Sequence, residues 1–140
     1  MARDTRTGQV LERIVLPSLE NGGYKYQRQV NIGQRFGRGK HIADIIATSK
    51  EDENYIISLK WQQVPGTAEQ KVPFEVICLA EAIINGKNAF AKAYLVLGGE
   101  GWKLREFFIQ GGLSKHLVYG NLVEIVSLEN FIAKANKTAL

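Results

Sequence analysis

"YIISLKWQ", residues 55–62, is the stretch on which the fold turns. Tyr55, Ile56, Ile57 and Leu59 make a short apolar run, β-branched and aromatic in character, which predicts a buried strand. Lys60 stands near its end, two residues after Ser58, and residues i and i+2 share one face of a strand. Just upstream, "HIADIIATS" (41–49) reads as another strand and carries Asp44. An acid in an apolar strand is costly to bury unless it is paired or holds a metal. The aspartate and the lysine are therefore either an internal ion pair or two parts of a site that handles metal and phosphate.

Working outward, "KEDEN" (50–54) is an acidic hairpin turn between these two strands. Before them, "YKYQRQVNIG" (24–33) alternates as a strand does, and "GRGK" (37–40) is a turn. The first segment, "GQVLERIVLPSLE" (8–20), has apolar residues at 10, 11, 14, 15 and 19, a helical spacing, with Thr7 as its cap and Pro17 predicting a kink or an early end. Downstream, "PGT" (65–67) breaks the chain. A helix is expected from Thr67 to Ile84, with Thr67 and Gln70 in capping-box positions and Pro73 marking its first turn. "AFAKAYLVLGG" (89–99) ends in a strand, "EGWKLREFFIQGGL" (100–113) reads as a helix, "LVEIVS" (122–127) as a short strand, and Ser127 caps a last helix, "LENFIAKANK" (128–137). The order α-β-β-β-α-β-α-β-α predicts an α/β domain spanning 1–140, with a mixed central sheet flanked by helices.

A chain of 140 residues with 45% hydrophobic and 23% charged residues has the composition of a globular protein. The lone cysteine, Cys78, excludes an internal disulfide and a cysteine-rich zinc site, and reads as a core thiol. No apolar run has the length of a membrane span and "MARDTRTGQ" has no signal-peptide core, so a cytoplasmic location without membrane attachment is expected. The net charge of +4 is unevenly spread: residues 24–41 hold Lys25, Arg28, Arg35, Arg38 and Lys40 and no acid. Such an arm suits a phosphate backbone, though a basic run is also an ordinary solvated surface.

Hydrolysis of a phosphodiester calls for carboxylates around Mg²⁺ and a lysine near the phosphate or the attacking water. Asp44 and Lys60 fit these roles, but Ser58 occupies the place where a second acid is expected. Gln62, two residues after Lys60, falls on the same strand face, and Trp61 on the opposite one, toward the core. His41 flanks the Asp44 strand, where it either touches phosphate or serves the structure, and His116 has no evident partner.

In these features the chain resembles the PD-(D/E)XK nuclease superfamily, which includes restriction endonucleases and Holliday junction resolvases. The resemblance is carried by Glu12 on the first helix, Asp44, Ser58-Leu59-Lys60 as a variant of (D/E)XK, and "GTAEQK" (66–71) leading the next helix. It implies a restriction endonuclease-like core, α-β-β-β-α-β, over roughly residues 8–98. It also implies Mg²⁺, replaceable by Mn²⁺, with Asp44, Glu75, Glu12 and Glu69 as candidate ligands. Some restriction enzymes with a small residue at the Ser58 position use a glutamate from the following helix. Glu75 has the more similar spacing and Glu69 comes second, although Glu75 can equally pair with Lys71 on the helix surface. The implied catalytic set is Glu12, Asp44, Lys60, Glu75 and Gln62, with Lys25, Arg28, Arg35, Arg38, Lys40, His41 and Lys71 toward DNA. The expected protein is a Mg²⁺-dependent DNA endonuclease acting on double-stranded or branched DNA as a homodimer. A junction resolvase and a catalytically silent DNA-binding relative are the alternatives.

Overall fold

The apolar run at residues 55–62 becomes the middle strand of a five-stranded sheet. The computed structural model describes residues 5–37 and 39–140, so Arg38 lies outside the described residues. The chain runs α1 (Thr5–Asn21), β1 (Lys25–Gln34), β2 (Lys40–Thr48), β3 (Asn54–Trp61), α2 (Ala68–Asn85), β4 (Lys92–Gly98), α3 (Arg105–Ile109), β5 (Val123–Ser127) and α4 (Leu128–Asn136). Two 3₁₀ turns, Leu113–His116 and Gly120–Leu122, lie between α3 and β5. Spatial order follows chain order, β1-β2-β3-β4-β5. β1, β2 and β3 are antiparallel neighbours, whereas β3, β4 and β5 run parallel. The α/β order and the mixed sheet are those the sequence predicts.

The change of direction at β3 follows from the connections. Short turns join β1 to β2 and β2 to β3, as antiparallel strands allow, while parallel pairing needs a crossover, which α2 supplies between β3 and β4. Helices then cover both faces of β3, and so it reads as a continuous apolar run. Ile56 packs with Val76 and Leu79 of α2, and Ile57 with Val15 and Leu19 of α1 and Phe131 of α4. All seven side chains are buried. No helix among the described residues is long and apolar enough to cross a membrane.

The hairpin of β1 and β2 does not keep to one face. Tyr26 packs on the α1 side, but Val30 and Ile32 pack on the α2 side. Opposite them, Ile45 and Ala47 belong to the α1 side and Ala43 to the α2 side. Both strands therefore change face at one rung, where Gln29, at φ +53°, stands opposite Asp44 between the Arg28↔Ile45 and Val30↔Ala43 pairs. The outer half of the hairpin leans over α2, and this brings Arg35 and His41 to that helix.

Several local expectations need correction. α1 starts at Thr5, which puts Thr7 within the helix, and it runs through Pro17 to Asn21. α2 starts at Ala68 and contains Pro73. Thr67 makes no side-chain cap: its backbone is helical, at φ −88° and ψ −4°, rather than extended as a cap requires, and the Ala68 N–H donates to Gln62 Oε1 at 3.1 Å. The helix expected over 100–113 is only the five residues of α3; Gly111, at φ +80°, follows its end. Trp61 is 40% exposed: it ends β3 beyond Leu59, the last side chain on that face covered by α1 and α4. Ser127 does cap α4, its Oγ accepting from the Asn130 N–H at 3.1 Å, and Cys78 is buried.

Candidate active site

The registered pairing of β2 with β3 reaches Ile45↔Ile57. At the next position the Asp44 carboxylate intervenes, Oδ2 accepting from the Leu59 N–H at 2.7 Å. Asp44 is half-buried where the two strands part, with its position fixed by the middle strand's backbone.

On the α2 side of the same segment of β3 stands Glu75. Ser58 Oγ donates to its Oε1 at 3.4 Å, so the serine meets the glutamate directly. Lys60 Nζ lies 3.7 Å from Oε2, and His41 Nε2 lies 3.8 Å from Oε1. Arg35 Nη2 donates to both oxygens, at 3.0 and 3.3 Å. Glu75 and His41 are buried; Lys60 and Arg35 are partly open to solvent. Burial acts to raise the Glu75 pKa. The His41 imidazole, then the charges of Lys60 and Arg35, outweigh it and bring the pKa down from 4.5 to about 2. Glu75 is thus a carboxylate, and its acceptors face cations and a hydroxyl rather than Lys71.

Glu12 is held elsewhere. Arg28 donates to its Oε2 from Nε at 2.9 Å and from Nη2 at 2.5 Å, and Gln29 Nε2 donates to Oε1 at 3.0 Å. Adjacent strand residues ordinarily point to opposite faces. The left-handed conformation of Gln29 is what accompanies two neighbours reaching one carboxylate. Glu12 comes from α1, on the other side of the sheet from Glu75, and its partner Gln29 stands opposite Asp44 across β1 and β2.

The remaining candidates are placed apart from Asp44 and Glu75. Glu69 Oε1 accepts from the Leu104 N–H at 2.7 Å, beside a cleft of about 580 Å³ between the start of α2 and α3. It lies six residues before Glu75, nearly two helical turns, and so faces another direction. Gln62 is buried with its amide engaged, donating to Gly101 O at 2.8 Å and accepting from Ala68 N–H. Lys25, Lys40 and Lys71 are exposed, Lys71 on the outer side of α2. Sequence reasoning missed Gln29 as a partner of Glu12, Arg35 as a partner of Glu75 and His41 as its buried neighbour. All three depend on the change of face within the hairpin, which strand periodicity does not signal.

Asp44 and Glu75 present hard oxygen donors on either side of Ser58-Leu59. Among the described residues no three acidic, histidine or cysteine side chains cluster as metal ligands. Carboxylate oxygens suit a hard divalent cation whose remaining positions water and phosphate fill.

A helix followed by a mixed sheet, with an aspartate where the second and third strands part and a lysine on the third beside a helix glutamate, defines a restriction endonuclease-like protein. The chain belongs to the PD-(D/E)XK nuclease superfamily: the model of the PD-(D/E)XK nuclease superfamily domain matches residues 3–139. No curated protein matches the sequence. Among solved structures, the crystal structure of the protein of unknown function AF1548 is similar in fold, with a TM-score of 0.51 and 13% sequence identity. The match covers 86% of this chain and 56% of that one, so the chain spans little more than half of that relative's length.

Proposed function

We propose that the protein is a Mg²⁺-dependent DNA endonuclease. The observation that supports this reading most is the meeting of Asp44, Glu75 and Lys60 at one segment of β3. Asp44 and Glu75 would hold the metal, and Glu75 stands in for the missing acid at Ser58. When bound, the metal supplies Lewis-acid polarisation of the phosphate and a more acidic water. Lys60, partly open to solvent beside Glu75, stabilises charge on the phosphate and orients the attacking water. Asp44 is kept in place by the Leu59 N–H, and Glu75 is kept ionised by His41, Lys60 and Arg35. Arg35 exchanges Glu75 for a phosphate oxygen as DNA arrives, a bidentate preference shared by carboxylate and phosphate. Lys25, Lys40 and Arg38 extend this contact along the backbone. A homodimer offers one such site to each strand.

The test is nicking of supercoiled plasmid DNA with Mg²⁺ by the wild type and by Asp44→Ala. Cleavage by the first and none by the second, with DNA retention kept, supports the reading. DNA retention without cleavage by the wild type, in Mg²⁺ and in Mn²⁺, replaces it with the silent binding protein. Preferential cutting of four-way junctions over plasmid would assign the chemistry to a resolvase.

A further inference from the structure

We infer that the outer face of α2 is the interface at which two copies of this chain pair, antiparallel and about a two-fold axis. The inference rests on the reading of a two-site nuclease given above and identifies the surface that would bring the sites together.

α2 leaves apolar side chains in solvent. Phe74 is 49% exposed, and Ile77 and Ile84 on the same side are also exposed. Their spacing of three and seven residues makes one stripe. Phe36, from the hairpin, extends the stripe, its ring centroid 6.4 Å from that of Phe74. At the other end Val118 and Tyr119 stand out beside Ile77 and Ile84 around a hollow of about 290 Å³. A contiguous apolar patch of this kind marks an interaction surface.

The charges beside the stripe indicate what covers it. Lys71 lies one turn before Phe74, and Glu81 lies one turn after Ile77. Lys71 is exposed, and Glu81 is half-buried and accepts from Asn85 Nδ2 at 3.1 Å. The order along the helix is thus cation, apolar, apolar, anion. A two-fold interface must be self-complementary, residue i meeting j and j meeting i. The midpoint between Phe74 and Ile77 nearly coincides with that between Lys71 and Glu81. Antiparallel pairing about it packs Phe74 of each copy against Ile77 of the other and brings Lys71 of each within reach of Glu81 of the other, twice over. Parallel pairing would stack like charges. Phe74 and Ile77 are exposed while Glu75 between them is buried, so the apolar stripe and the candidate site use different sides of α2.

The experiment is sedimentation velocity of the full chain over a range of concentrations, with four samples besides the wild type. Lys71→Glu alone and Glu81→Lys alone each place two like-charged pairs in the interface and should weaken self-association about tenfold or more. The doubly reversed Lys71→Glu/Glu81→Lys chain should recover it. An equimolar mixture of the two single variants should also associate, as a heterodimer, because both of its charge pairs are matched. Circular dichroism melts check that each variant is folded, and plasmid nicking is read on the same samples. A wild-type monomer at all concentrations overturns both the dimer and the interface. A dimer indifferent to the reversals, or single variants that fail to associate on mixing, overturns the interface alone. Loss of association with nicking retained separates this inference from the proposed activity.

Discussion

Ser58 and Glu75 offer the sharpest test of how the site is built. Glu75→Ala removes the carboxylate whose pKa is lowered from 4.5 to about 2, a depression equivalent to about 3 kcal/mol at neutral pH. Were Glu75 only a surface partner of Lys71, its loss would cost well under ~1 kcal/mol. A urea titration of the wild type and the variant distinguishes the two. Cleavage should fall below detection as well. Ser58→Glu in the Glu75→Ala background grows a carboxylate from a position whose hydroxyl already lies 3.4 Å from Glu75 Oε1. It should restore part of both stability and nicking, the remainder lost because a displacement of ~1 Å costs about a hundredfold in rate. Ser58→Glu with Glu75 kept puts two carboxylates at nearly that separation, a repulsion of about 5 kcal/mol at an effective dielectric of ~20, before Arg35 and Lys60 offset it. That variant should be the least stable of the four. Wild-type nicking by Glu75→Ala, or a double variant no better than Glu75→Ala, would refute the exchange of serine for a helix glutamate.

Further outcomes are expected. Because the folded-state pKa of Glu75 lies below its ordinary value, its stabilisation is complete above pH 4.5 and fades as pH falls toward about 2; the stability gap between wild type and Glu75→Gln should close over that window in acid titrations. Replacing Arg35 and Arg38 together with glutamine should weaken binding to all DNA sequences alike and flatten the salt dependence by up to about 2, as filter binding at several salt concentrations would record. Gln62→Ala breaks one buried and one part-buried hydrogen bond and should cost about 1–3 kcal/mol in thermal melts, since Gly101 O and the Ala68 N–H lose their partner.

The strands and most helices were legible because their periodicity is local. "YIISLKWQ" announces a doubly covered strand, and Ser127 before "LENFIAKANK" announces a capped helix, without reference to the rest of the chain. The strand placement of Asp44 and Lys60 was legible for the same reason, and the spacing of Glu75 from Lys60 pointed to a helix residue that the fold brings within 3.7 Å of Lys60 Nζ. What the sequence hid depends on a single rung. Once Gln29 and Asp44 change the face of the hairpin, alternation counted from Tyr26 no longer says where Arg35 and His41 lie. The same limit explains Gln62 and Trp61. Parity along β3 set Gln62 on the Lys60 face and Trp61 inward, but the strand ends at Trp61. Beyond that point the loop drew Gln62 toward Gly101, and no helix remained to cover the indole.

The two arginine–glutamate pairs also bear on how the chain comes to be folded in the first place. Buried acids gathered for a metal repel one another in its absence, and many such sites make folding wait on the ion. Here Arg28 answers Glu12 and Arg35 answers Glu75, and both arginines come from the strand and turn of one hairpin. The charge of these two acids is balanced within the chain, so neither of them makes folding wait on a divalent cation.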